Sequence, residues 1–175
     1  DVRVIHNPGN LTDHYNPGNK TLGLSDTVYQ SSSVAAVGVA AHECGHAVQH
    51  ARGYAPLAIR GALVPVANFG SALAWPLILI GLLITGETSV FLINLGILLF
   101  SAAVLFQLVT LPVEFNASRR AVDVLGASGM LYPDELSSVK KVLGAAALTY
   151  VAGAASAILQ LLRLLILTGG RRRND

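Results

Sequence analysis

The chain has 175 residues, 53% of them hydrophobic and 13% charged, with a mean hydropathy of +0.56. That apolar excess excludes an ordinary soluble domain. The formal net charge of +2 is small and gives no nucleic-acid signature, and the single cysteine, Cys44, excludes an internal disulfide.

In chain order, Val2-Arg3-Val4-Ile5 is a short β-prone run, and His6-Asn7-Pro8-Gly9-Asn10 is turn chemistry. Leu11 to Tyr15 leads into a second turn, Asn16-Pro17-Gly18-Asn19. Lys20 to Ser25 reads as a strand with loose alternation. Placed just before the next helix, it reads either as an exposed edge to which an extended peptide can add or as part of a plain two- or three-stranded sheet packed on the helix. His6 and His14 have no ligand spacing of their own.

Ser31-Ser32-Ser33 offers N-cap hydroxyls, and Arg52-Gly53 supplies a closing cation and a C-cap glycine. Between them Val34 to Ala47 is apolar nearly all round, so the helix is expected to be buried. Within it lies His42-Glu43-Cys44-Gly45-His46, the pattern H-E-x-x-H. On a helix the two histidines sit one turn apart on one face, where neutral imidazoles can hold a divalent metal, most plausibly zinc. Glu43 stands beside the first ligand, placed to take a proton from water activated by the metal. Two imidazoles and a carboxylate in a buried helix are costly without partners, and a metal satisfies all three. Cys44 reads as a small core residue. His50 continues the spacing by four but lies about 12 Å along the axis from His42, too far for one ion, and reads as a helix-end residue.

Residues 61–85 carry no charge over a length that can cross a bilayer, with Pro65 and Pro76 as tolerated kinks. Gly86-Glu87-Thr88-Ser89 is a tight polar loop, and residues 90–113 form a second uncharged span. The two make a membrane hairpin. Its even number of crossings returns Glu114 to the side that holds His42. Glu114 is there either a solvated boundary residue or the third ligand that a catalytic zinc needs, giving His42, His46 and Glu114 with a position left for water. Ser118 lies one helical turn on, within reach of a ligand histidine.

Gly126-Ala127-Ser128-Gly129 is expected as a loop and Tyr132-Pro133-Asp134-Glu135 as a helix start. Val142 to Leu162 is a third apolar span, interrupted by Arg163 and extended by Leu164 to Leu167. Tyr150 within it reads as an amphipathic aromatic before an oxyanion donor. Arg52, Arg60, Arg119, Arg120, Lys140 and Lys141 lie on the motif side of the hairpin, while its tip carries Glu87. The bias of basic residues therefore places the motif in the cytoplasm. Arg171-Arg172-Arg173 conflicts with a simple full crossing of the third span.

Three stretches carry a family resemblance: Leu11 to Pro17, Val37 to His50, and Pro112 to Ala121. In them the chain resembles the membrane-embedded neutral zinc metallopeptidases of the YugP type, a largely bacterial family. More distantly it is similar to the gluzincin peptidases of the HtpX group. The resemblance implies one Zn²⁺ per chain held by His42, His46 and Glu114, with Glu43 as general base. Ser118 departs from the distant group, which has Asp there, and a hydroxyl orients a histidine less strongly than a carboxylate does. The resemblance also implies a membrane helix before Asp1.

The expectation is therefore a mainly α membrane protein forming one domain over residues 1–175. A small β element and the H-E-x-x-H helix occupy residues 1–60, a transmembrane hairpin residues 61–113, a third-ligand helix residues 114–125, and a C-terminal apolar helix residues 133–168. The catalytic helices would be zincin-like. The expected function is a zinc metalloendopeptidase of the bacterial inner membrane, acting on a peptide or membrane-protein substrate and partnered by the lipid bilayer, with no nucleic acid. A metal-ion transporter and a non-catalytic zinc scaffold are the alternatives. The His pair lies outside the long apolar spans, which argues against transport.

Overall fold

The computed structural model describes residues 1–171, which are mainly helical with a small N-terminal sheet. Arg172 and Arg173 of the basic tail lie outside the described residues. The chain forms two compact units: Asp1–Ala58 with Leu111–Thr149, and Ile59–Thr110 with the chain from Tyr150 onward.

In the first unit β1 (Arg3–His6), β2 (His14–Asn16) and β3 (Thr21–Leu24) form one sheet in the order β1-β3-β2. β1 runs parallel to β3 and β2 antiparallel to it, with Tyr15 opposite Leu22. Of the two readings of this strand, the packed sheet holds: β3 is the central strand, and all four of its residues are buried. Strand order is a long-range pairing that the loose alternation of Lys20 to Ser25 does not encode. The edges fall to β1 and β2. The turn before β3 follows its residue chemistry: the Asn16 and Asn19 side-chain oxygens accept from the backbone N–H groups of Gly18 and Thr21.

After a single-turn helix α1 (Asp26–Tyr29) comes α2 (Val34–Ala51). Ser33 caps it, its hydroxyl accepting from Ala36 N at 3.2 Å. At the other end Gly53 adopts φ +60, while its N–H donates to His50 O and that of Tyr54 to Gln49 O. These two bonds are the closing pattern for which a left-handed glycine is selected. Leu22, Leu24, Val28 and Ala36 pack as one cluster, with Val39 and Ala40 against it. Ala121, Leu125, Val139 and Leu143 form a second, against which Val34, Val37 and Ala41 pack. α2 thus meets apolar partners on more than one side, as its composition requires.

Three helices follow: α3 (Ala55–Leu83), α4 (Glu87–Ser128) and α5 (Pro133–Arg171). Each is long and apolar enough to cross a membrane. α3 carries Pro65 and Pro76 inside it, and α4 runs unbroken through Pro112, so Glu114 sits mid-helix and not at the start of a new one. Gly126 belongs to α4, and the expected loop begins only at Gly129, with φ +66. Pro133 opens α5, and the Glu135 carboxylate reaches back to accept from Tyr132 N at 2.8 Å.

In the second unit, α3 and α4 meet through small residues. A Cβ on Gly70 would lie 2.6 Å from Leu99 O, and one on Gly96 would lie 2.8 Å from Ala74 O. Such close backbone approach is how membrane helices gain contact where no hydrophobic force drives them together. Phe69, Phe91, Leu98 and Ile166 stand exposed on this unit, a surface suited to lipid and not to water.

Candidate metal centre

The site lies within the first unit and is built from α2 and the mid-part of α4. Gly45 is what lets them approach: a Cβ there would stand 2.5 Å from Ala117 O. The sequence suggests only a weak helix former at this position; the structure gives it a packing reason. Cys44, next to it, is exposed, against the expectation of a core residue. With Glu43, Gly45 and His46 all buried, position 44 falls on the remaining face of the helix.

Across this contact His42 Nε2 lies 3.2 Å from Glu114 Oε2, and His46 Nε2 lies 3.7 Å from the same oxygen. One ligand atom from each of the three residues lies within 4.8 Å of the others. His50 stands apart from this group, its Nδ1 2.8 Å from Tyr15 Oη. His6 pairs with Asp26, and His14 Nδ1 meets Thr12 O. Tyr150 belongs to the second unit.

The other nitrogen of each site histidine is also occupied. His42 Nδ1 is 3.1 Å from Ser118 Oγ, and His46 Nδ1 is 3.0 Å from Gln49 Oε1. So Ser118 does reach His42, despite being a hydroxyl. Gln49, fully buried, donates from Nε2 to Val113 O at 2.8 Å and to Asn116 Oδ1 at 3.0 Å. Arg120 Nε donates to that same Asn116 oxygen at 2.7 Å. Sequence reasoning missed Gln49, Asn116 and Arg120. The available signal was a glutamine inside an otherwise apolar helix, three residues after a candidate ligand.

This donor set fits a cation. His46 with its Nδ1 proton given to Gln49 turns a bare Nε2 lone pair toward a carboxylate oxygen. That contact is repulsive unless a proton or a metal ion lies between the two atoms. Burial opposes a charge on His46, yet Glu114 and Glu43 outweigh it and hold its pKa above the ordinary value. The site asks for positive charge, and two imidazoles with one carboxylate are a zinc ligand set. Glu43 is itself buried, and burial raises its pKa; His46 and His42 counter this, while Glu114 and Asp13 add to it.

The family model described as "putative neutral zinc metallopeptidase" matches residues 1–169. The chain is 49% identical over 175 residues to a Bacillus subtilis (strain 168) protein named "Putative membrane protease YugP", an alignment covering 99% of this chain and 76% of the relative. No solved structure matches. The chain belongs to the neutral zinc metallopeptidase family.

Proposed function

We propose that this family member is a membrane-bound endopeptidase whose centre is His42, His46 and Glu114 and whose general base is Glu43. The observation that carries the reading is the convergence of one donor atom from each of the three residues within 4.8 Å. His42, His46 and Glu114 would hold one zinc ion per chain, which when bound supplies Lewis acidity to the scissile carbonyl and to water. Glu43 adjoins the first ligand on a buried stretch of α2, placed to take a proton from the attacking water and pass it to the leaving amine. Ser118 and Gln49 hold the two imidazoles in place for this work.

The substrate is an extended peptide or a membrane-protein segment. β2 is the edge strand that supports this: it lies next to α2 through the bond between Tyr15 and His50, and Asp13 just before it is close enough to raise the Glu43 pKa. An added strand there would lie along the active-site helix. Arg52, Arg119, Arg120, Lys140 and Lys141 favour a cytoplasmic face for the site.

The test is elemental analysis of the purified full chain alongside cleavage of an unstructured peptide. About one zinc per chain in wild type, lost in Glu114→Ala, is expected. Glu43→Gln should keep zinc and lose cleavage. Full zinc retention in Glu114→Ala, or unchanged cleavage by Glu43→Gln, overturns the assignment of that residue.

A further inference from the structure

We infer that Arg120, Asn116 and Gln49 form a chain of hydrogen bonds, converging on the Asn116 amide oxygen, that fixes the tautomer and ring orientation of His46, making Gln49 a positioning residue of the centre. The inference rests on the metal-site reading above and concerns how that site is held.

The direction of every bond in the chain follows from chemistry. A guanidinium only donates, so the Asn116 atom 2.7 Å from Arg120 Nε is the amide oxygen. A backbone carbonyl only accepts, so the Gln49 atom 2.8 Å from Val113 O is the amide nitrogen. The second proton of that nitrogen goes to Asn116 Oδ1 at 3.0 Å. Two acceptors that cannot be reversed thus agree on how the Gln49 carboxamide is turned. Its oxygen is left facing His46 Nδ1 at 3.0 Å, and an amide oxygen can only accept. His46 must carry its proton on Nδ1 and present Nε2 toward Glu114.

The partner of the other histidine has no such constraint. Ser118 Oγ can donate or accept, so its bond to His42 Nδ1 permits either tautomer. The two ligands are therefore held unequally. Gln49 is wholly buried, with both amide protons and its oxygen engaged, so it has no low-cost alternative arrangement. The asymmetry predicts that losing the Gln49 oxygen harms metal binding more than losing the Ser118 hydroxyl.

The experiment measures zinc affinity of the purified full chain by competition with a chelator, and the visible absorption of the cobalt(II)-substituted chain. The variants are Gln49→Leu, Gln49→Glu, Ser118→Ala, Asn116→Asp and Asn116→Leu. Gln49→Leu should weaken zinc roughly 10- to 100-fold and alter the cobalt spectrum. Gln49→Glu keeps an acceptor for His46 but loses the donors to Val113 O and Asn116 Oδ1, and should weaken zinc less than Gln49→Leu does. Ser118→Ala should weaken zinc less than Gln49→Leu does. Asn116→Asp keeps an acceptor for both Arg120 and Gln49 and should bind like wild type, while Asn116→Leu should not. If Gln49→Leu fails to fold, the Asn116 pair decides. Wild-type affinity and an unchanged spectrum in a folded Gln49→Leu, or equal affinity in Asn116→Leu and Asn116→Asp, overturn the inference while leaving the zinc site intact. A wild type that binds no zinc, or a Glu114→Ala that binds fully, overturns instead the site reading on which it rests.

Discussion

Gly45→Ala is the smallest change that separates a packing role from a helix-propensity role at the centre. The new methyl would lie 2.5 Å from Ala117 O and 3.0 Å from Ala117 C and Cα, all backbone atoms that cannot rotate away. Relief to an ordinary contact near 3.4 Å requires the helices to part by about 0.9 Å along that line. Glu114 rides on α4 three residues before Ala117, so the same movement draws it away from both imidazoles. Metal sites hold their ligand distances to about 0.2 Å, so the displacement exceeds the tolerance several-fold. Zinc affinity should fall at least about tenfold. Stability is the blunter readout. Overpacking costs about 1–3 kcal/mol, but alanine returns about 1 kcal/mol of helix propensity. Gly144→Ala, in α5 with nothing within 4 Å of its new methyl, isolates the propensity gain. The assay is chelator competition plus thermal melting of both variants in detergent. If Gly45→Ala binds zinc like wild type and melts higher, as Gly144→Ala should, the close contact is not what sets the ligand geometry.

Further outcomes follow from the same structure. Gly70→Ala places a methyl 2.6 Å from Leu99 O and should destabilise the α3–α4 pair by about 1–3 kcal/mol, whereas Gly61→Ala, with open space around it, should not; equal melting of the two would refute the small-residue seam. Ser33→Ala removes the N-cap of α2 and should cost about 1 kcal/mol, with Ser33→Gly costing less; a chemical-denaturation series that ranks them the other way refutes the cap. The Asp26 carboxylate accepts from Gly9 N and pairs with His6, which hold its pKa below the ordinary value, the Gly9 bond most of all. A group depressed in the folded state contributes stability above its unfolded pKa and loses it as pH falls. The melting difference between wild type and Asp26→Asn should therefore be largest above about pH 4 and shrink below it, and a difference constant through the acid limb would contradict the pairing.

What was legible in the sequence is what is encoded locally. The caps of α2 could be read because Ser33 and Gly53 act on backbone groups within a few residues of themselves. The membrane helices could be read because bilayer thickness sets a length and a composition. The return of Glu114 to the neighbourhood of His42 and His46 could be expected because two spans between them make an even number of crossings, a parity argument that needs no geometry. The order of the sheet could not, since placing Thr21–Leu24 between two other strands depends on pairings that a four-residue run does not specify. Nor could the continuity of α4 through Pro112, because a proline inside a membrane helix costs less than the rule for water suggests. Gln49 and Asn116 are 67 residues apart, and only the fold makes them neighbours.

The two histidines also show why a hydroxyl can stand at position 118 in a site of this kind. An aspartate there would orient His42 more strongly, but it would add a third carboxylate near the buried Glu114 and Glu43. Like charges in a low dielectric raise one another's pKa and repel, and a single divalent ion has only two charges to set against them. A hydroxyl at 3.1 Å keeps His42 oriented without adding charge. On the other side of the centre, the positive charge that anchors the Gln49 chain sits on Arg120, three bonds removed from the ligand, and reaches His46 only through neutral amides. Orientation is thus supplied to both imidazoles by neutral groups, which leaves the charge balance of the pocket to Glu114, Glu43 and the proposed ion. Replacing Ser118 with Asp would test that balance directly, since it improves the hydrogen bond and worsens the charge.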